Sequence, residues 1–192
     1  SGETFFMEMN TRIQVEHPVT EMVTGVDLVK EQIRVARGQL LALRQEDIHV
    51  NGWAIEARIN AEDPLTGFMP QSGRLTTLRW GMGPGVRVDS HAYQGYEVPS
   101  AFDSLLGKLC VWGKDRVEAT GRMRRALMET EVAGVATTIP FHLRLLAHEA
   151  FESGHIDTGF LTRHAPYFET PQEVRAEDLG PFGEMVLRHG GL

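Results

Sequence analysis

The stretch Phe6-Met7-Glu8-Met9-Asn10-Thr11-Arg12-Ile13-Gln14-Val15-Glu16-His17-Pro18 alternates apolar and polar side chains almost without a break. Glu8, Asn10, Arg12, Gln14 and Glu16 share one parity; Met7, Met9, Ile13 and Val15 share the other, with Thr11 as the exception. A period of two belongs to extended chain, whose side chains point to opposite faces, so the spacing predicts a strand over 6–16. The chemistry of the polar parity is specific. Two carboxylates, two amides and a guanidinium stand in a row where a solvated strand face ordinarily carries Lys, Thr and Ser.

Neighbours on one strand face lie about 6.6 Å apart, at about 3.3 Å per residue. Glu8 and Asn10 can therefore share a hard cation such as Mg²⁺, which takes oxygen ligands and leaves positions for phosphate and water. Arg12 presents a planar fork suited to a small oxyanion. Gln14 adds an amide donor, and Glu16 a carboxylate able to take a proton. Held extended, Glu8 and Glu16 stand about 26 Å apart, which excludes the glycosidase arrangement of carboxylates about 5–9.5 Å apart. The pattern alone fits a solvent-facing strand of mixed charge equally well. His17, between Glu16 and Pro18, is read as an orienting or packing residue rather than a base.

The bulk properties narrow the classes. The 192 residues suggest one or two domains, enough for a sizeable core. Hydrophobic content of 42% and charged content of 23% are those of a soluble globular protein. A net charge of −7 argues against nucleic-acid binding, which needs basic surface. No apolar run approaches the roughly 18 residues that span a bilayer. Cys110 is the single cysteine, so no internal disulfide forms, which fits a reducing, cytoplasmic setting. In Leu109-Cys110-Val111-Trp112 it reads as a buried, inert thiol. His49, His91, His142, His148, His155 and His164 lack metal-ligand spacing. The start Ser1-Gly2-Glu3 has neither Met nor a secretory signal, and a polar strand so close to it leads us to expect further chain upstream.

Downstream, Val26, Val29, Ile33 and Ala36 recur at helical spacing, with Thr24 and Asp27 placed to cap and Gly38 to terminate. Lys30, Glu31, Arg34 and Arg37 form its solvated face. Residues 39–51 connect to a second alternating strand, 53–60, with Trp53, Ile55, Ala57 and Ile59 on one face and Glu56, Arg58 and Asn60 on the other. Asp63-Pro64-Leu65-Thr66-Gly67 is a turn. Strands are expected at 74–80 and 86–90, joined as a hairpin by Gly81-Met82-Gly83-Pro84-Gly85. That run lacks the Lys-Ser/Thr ending of a phosphate loop. A buried strand at 105–112 precedes a helix at 115–131 with an Ala119, Met123, Ala126, Leu127 stripe. Helices at 139–150 and 157–164 follow, and the tail from Ala165 is either ordered or trailing. On sequence alone, Arg58 beside Glu56 reads as an ion pair.

The run from Phe6 to Glu21 resembles the C-terminal signature of the biotin carboxylase family within the ATP-grasp fold. The resemblance continues through Gly25-Val26-Asp27-Leu28-Val29, Glu56-Ala57-Arg58-Ile59-Asn60-Ala61-Glu62-Asp63-Pro64, Tyr96 to Lys108 and Gly134-Val135-Ala136-Thr137-Thr138-Ile139-Pro140-Phe141, in family order over residues 3–164. It implies an α+β chain in two parts: a C-terminal remnant of an ATP-grasp domain (strand, active-site loop, helix) over 1–44, then a mixed β-sheet and helix biotin carboxylase C-terminal domain over 45–164. The tail 165–192 lies outside it. It further implies an ATP-dependent ligase that carboxylates biotin with bicarbonate. Glu8 and Asn10 would hold Mg²⁺ or Mn²⁺ on the ATP phosphates. Arg12, Gln14 and the Val15 N–H would grip bicarbonate, Glu16 would take its proton, and Arg58 would stabilise the ureido oxygen of biotin. That makes Arg12, Glu16 and Arg58 the catalytic set.

The family's glycine-rich lid, phosphate-binding lysines and further metal carboxylate have no counterpart in this sequence, nor has a Met-Lys-Met biotinyl attachment site. The implied partners are thus the N-terminal remainder of the enzyme, a biotin carboxyl carrier protein or domain, a carboxyltransferase, and a second copy in a homodimer near Arg87. By itself the chain is expected to be inactive. Asp103-Ser104 with Lys108 matches a family motif read as architectural or near-site rather than catalytic. Asp157-Thr158-Gly159-Phe160-Leu161 resembles multidomain acyl-CoA carboxylases, which leaves acetyl-CoA carboxylase of fatty acid biosynthesis and enzymes acting on propionyl-CoA, methylcrotonyl-CoA or pyruvate all open. The reading of another class is a non-catalytic fold and dimerisation module presenting an interaction surface.

Overall fold

Pro18 has no backbone N–H to leave unsatisfied and a fixed φ suited to a first helical turn. In the computed structural model of the chain it is buried in the opening turn of α1 (His17–Thr24). The structure describes residue 3 and residues 5–169, and the chain divides into two units, Ser1–Asn51 and Gly52–Leu192. In the first unit Gly25 takes a left-handed conformation (φ 73°) that ends α1, a backbone region open to glycine at little cost. Asp27 then caps α2 (Leu28–Ala36) by accepting from Lys30 N at 2.8 Å. Glu21 Oε1 accepts the Leu28 N–H at 2.8 Å and so ties the two helices together. The sequence pattern places one helix here; the structure adds α1 ahead of it.

The strand expected over 6–16 does not form, and the described residues of this unit contain none. Residues 5–14 run without regular structure into a turn at Val15 and Glu16. The physical reason is that alternation records two chemically different faces, while a strand also needs a neighbour for its backbone N–H and C=O groups. Phe6, Met7 and Met9 are correspondingly 81%, 91% and 74% exposed.

The second unit is built on β1 (Trp53–Asn60), which ends a short way before β2 (Glu62–Asp63), β3 (Met69–Pro70), β4 (Gly73–Arg74), β5 (Thr77–Arg79), β6 (Val86–Ser90) and β7 (Glu97–Val98). The remaining elements are β8 (Leu105–Gly113), α3 (Arg116–Glu129), β9 (Glu131–Ala133), α4 (Ile139–Ala147), α5 (Glu149–Glu152), α6 (Phe160–Arg163) and α7 (Ala165–Glu169). Of the tail expected from Ala165, residues 170–192 lie outside the described residues. The main sheet is antiparallel in the order β1-β8-β6, with Ala57, Leu109 and Val88 side by side across it. Its apolar parity (Ile55, Ala57, Ile59, Val86, Val88, Leu109 and Val111) forms one core with Met123, Ala126 and Leu127 of α3 and Ile139 and Leu146 of α4. A second cluster gathers Ala61, Leu75, Val98 and Leu106.

The glycine run 81–85 does not close a hairpin, because β5 pairs with β9 while β6 pairs with β8. Two contacts explain the choice. Arg79 Nη2 meets Glu131 Oε2 at 2.6 Å across the β5–β9 pair, and the Thr130 hydroxyl accepts the Gly81 N–H at 3.0 Å. The strand expected over 74–80 is therefore broken into β4 and β5, each with a different partner.

Candidate functional site

The five polar residues of the first alternating run lie along a single stretch that leads into α1. Glu8, Asn10, Arg12 and Glu16 are exposed, and Gln14 and Val15 are half-buried. Local hydrogen bonds shape the approach to the helix. Arg12 Nη1 donates to the Ile13 carbonyl at 3.2 Å and Gln14 Nε2 to the Arg12 carbonyl at 3.4 Å. The Gln14 carbonyl accepts the His17 N–H at 3.3 Å and faces His17 Nδ1 at 2.9 Å. A carbonyl can only accept, so Nδ1 carries the proton. His17 Nε2 stands 3.9 Å from Glu21 Oε2. Both imidazole nitrogens thus face local partners, consistent with an orienting residue. Glu16 precedes α1 as its N-cap residue, where helix amides and the helix dipole favour negative charge.

A metal ion would draw on few protein ligands. Among the described residues no group of three or more His, Cys, Asp or Glu is placed to hold one. Glu8 and Asn10 offer a carboxylate and an amide oxygen, a hard donor pair that fits Mg²⁺ when phosphate and water complete its shell.

Arg58 belongs to the second unit, on the polar parity of β1. Cross-strand register sets Glu56 beside Cys110 and Arg58 beside Lys108, with Arg87 and Asp89 in the same two rows on the far side of β8. Asp89 receives a two-pronged contact from Arg87 (Nε and Nη2, both 2.8 Å) and lies 3.5 Å from Lys108 Nζ. The Arg87 hydrogen bonds hold its carboxyl below the usual carboxylate range, against the opposing effect of burial. Arg58 Nε stands 3.9 Å from Glu56 Oε1, with half of the arginine side chain exposed and the glutamate only 4% exposed. The buried Cys110 thiol donates to Glu56 Oε2 at 3.6 Å. Burial, reinforced by Glu56, pushes this thiol's pKa far up, so it stays protonated and unreactive.

The backbone under Arg58 is held from outside the sheet. β1 is an edge strand, and its outward-facing groups at Arg58 and Asn60 have no neighbouring strand to bond. Thr138, just before α4, takes that place. Its N–H donates to the Asn60 carbonyl at 3.1 Å, and its hydroxyl accepts the Asn60 N–H at 3.1 Å while donating to the Arg58 carbonyl at 2.9 Å. His142 Nε2, one helical turn on, stands 2.9 Å from the same carbonyl and must be the donor. Sequence reasoning missed both residues: a pattern can mark Thr-Thr-Ile-Pro as a helix start, but not which strand edge it seals. Ser104 serves architecture, donating to Glu62 Oε1 at 2.5 Å and accepting from Asn60 Nδ2 at 3.1 Å.

Burial lowers the His142 pKa below its ordinary 6.5, outweighing the hydrogen bond to Arg58. The unfolded chain therefore binds a proton that the folded one refuses between 6.5 and the lower folded value. Stability is full above that window and falls as pH drops through it. Urea midpoints measured from pH 7.5 down to 5 are expected to decline in step, and His142→Gln to flatten that part of the curve.

The family model for the biotin carboxylase C-terminal domain matches residues 56–163 of this chain. The chain belongs to the biotin carboxylase family. Residues 1–44 also match the model for the carbamoyl-phosphate synthase L chain ATP-binding domain. The chain is 59% identical over 157 residues to biotin carboxylase 1 of Bacillus subtilis, covering 82% of this chain and 35% of that protein. It is 55% identical over 161 residues to the biotin carboxylase of a Nostoc species, covering 84% of this chain and 36% of that one. Among solved structures, it is similar to the biotin carboxylase domain of Hydrogenobacter thermophilus 2-oxoglutarate carboxylase, a dimer in complex with MgADP and bicarbonate. The TM-score is 0.85 at 47% identity, covering 89% of this chain and 38% of that one. The chain thus spans about a third of the length of the curated biotin carboxylases it matches, 35% of the first of them. The α+β fold is that of the solved biotin carboxylase domains. No helix among the described residues is long and apolar enough to cross a membrane.

Proposed function

We propose that this chain supplies the C-terminal part of a biotin carboxylase, with the polar run 8–16 and Arg58 as its site residues. Bicarbonate attacks the γ-phosphate of ATP to give carboxyphosphate and ADP; carboxyphosphate then breaks into CO₂ and phosphate. The phosphate removes the ureido N–H proton of biotin, and the nitrogen captures CO₂ to form carboxybiotin. Arg12, Gln14 and the Val15 N–H bind and orient bicarbonate, two of its oxygens lying within reach of a planar guanidinium fork. Glu16 takes its proton and makes a poor nucleophile a competent one. Arg58 stabilises the negative charge that grows on the ureido oxygen as the nitrogen is deprotonated. Glu8 and Asn10 hold Mg²⁺ or Mn²⁺, which when bound offsets the charge of the nucleotide phosphates.

The observation that most supports this reading is the likeness, over 89% of the chain, to a domain whose solved complex contains MgADP and bicarbonate. The partners that follow are the nucleotide-binding remainder of the enzyme, a biotin carrier protein or domain, a carboxyltransferase and a second copy in a homodimer, working in the cytoplasm. Acetyl-CoA carboxylase, feeding fatty acid biosynthesis, is the setting we favour. Biotin carboxylase domains of 2-oxoglutarate and pyruvate carboxylases resemble the chain to the same degree, with TM-scores of 0.85 and 0.86, which fits an acceptor chosen by another domain.

The test joins this chain to the nucleotide-binding portion of a close relative and follows phosphate release. Release is expected to require bicarbonate and to rise with free biotin, whereas the 192-residue chain alone releases none. Arg58→Lys, which keeps the charge but loses the fork, is expected to slow biotin carboxylation about tenfold, or 1.4 kcal/mol. Phosphate release indifferent to bicarbonate and biotin would overturn the proposal.

A further inference from the structure

The geometry points to His142 as a positioning residue for Arg58, acting through the backbone carbonyl bonded to the Cα that bears the guanidinium arm. The inference rests on the role proposed for Arg58 and extends it to a second residue 84 positions along the chain.

Three observations carry it. First, the β1–β8 ladder changes register between Ile59 and Asn60, one pair (Ile59 with Gly107) after Arg58 pairs with Lys108. Regular sheet bonding therefore stops holding the strand one residue beyond the arginine, at the point where backbone drift would swing its side chain. Second, the Arg58 carbonyl accepts two side-chain hydrogen bonds, from Thr138 Oγ1 and His142 Nε2, both 2.9 Å. That uses both lone pairs of the oxygen and fixes its direction in two planes. Thr138 alone would leave rotation about one bond free; the imidazole removes it. Third, the ring that makes the second bond is itself held. Phe141 packs edge-on to His142 at 5.6 Å, and Phe68 edge-on to Phe141 at 5.1 Å. Phe68 is the one non-glycine residue among those described with a positive φ, 61°. A bulky side chain there is strained, and such strain persists only where surrounding contacts impose it. From that backbone position the Phe68 ring reaches Phe141, which in turn packs against the imidazole.

A group that places a catalytic cation matters most to the step which that cation serves. Arg58 serves biotin deprotonation and not the cleavage of ATP, so loosening it shifts the balance between them. The experiment uses the joined polypeptide described above, with His142→Leu, which removes the donor, and His142→Gln, whose amide can still donate. The ratio of biotin-stimulated to biotin-independent ATP cleavage is expected to fall about tenfold in His142→Leu. In His142→Gln it is expected to return to within about threefold of the parent. Melting temperatures of both variants are recorded alongside. An unchanged ratio in His142→Leu overturns the inference, as does an equal loss of both activities tracking a lowered melting temperature, the mark of a purely structural role. Failure of Gln to restore the ratio overturns it as well. The underlying reading fails in a different way: Arg58→Lys would then leave biotin carboxylation at the parent rate, whatever His142 does.

Discussion

Glu16→Gln in the joined enzyme lowers bicarbonate-dependent ATP cleavage by about 10²–10⁴-fold, the range over which a positioned general base contributes. The amide keeps the size and the hydrogen-bonding oxygen of the carboxylate but cannot accept the bicarbonate proton. Glu16 is exposed at the N-terminus of α1, and an isosteric change at an exposed position is one that the fold should tolerate. Circular dichroism should accordingly match that of the parent. Turnover unaffected by both Glu16→Gln and Arg12→Ala would leave the interaction-module reading in possession of the field.

Leu109→Ala is expected to cost about 2–5 kcal/mol of stability, most of it from the cavity left behind. Leu109 is fully buried in the middle strand of the sheet, flanked by Ala57 on β1 and Val88 on β6. It shares a core with Met123 and Leu127 of α3. β8 is held by ladder bonds to β1 on one side and β6 on the other, so the site cannot readily collapse to fill the lost volume. Since single domains are stable by only about 5–15 kcal/mol, this one truncation removes a large share of the margin. A denaturant midpoint shifted down with an unchanged slope would confirm it. A loss below about 1 kcal/mol would mean that the sheet and α3 pack less closely than described.

The comparison of sequence with structure divides along a physical line. Elements whose burial is decided by their own period are legible: β1, β6, β8 and α3 lie within two residues of their expected bounds. Elements that depend on a distant partner are not. The 6–16 alternation marks its polar residues but carries no information about a neighbouring strand. β9 is three residues long and exists because Thr77–Arg79 pairs with it. α1 is hidden because Pro18 suits a turn as well as a first helical turn, and only burial of its ring decides between them. The chemistry of Arg58, Arg12 and Glu16 is visible in their residue types and in family resemblance. That of Thr138 and His142 is not, since their role is set by hydrogen bonds spanning 80 and 84 positions.

The sealing of the far end of β1 by Thr138 has a consequence for how these molecules behave when crowded. An open edge strand is a template on which a foreign extended segment can lay itself down and from which fibrils can grow. At Arg58 and Asn60 both carbonyls and the Asn60 amide that such a segment would need are already engaged by a side chain or a helix start. An invading peptide could zip along β1 only as far as those residues before it had to prise α4 away.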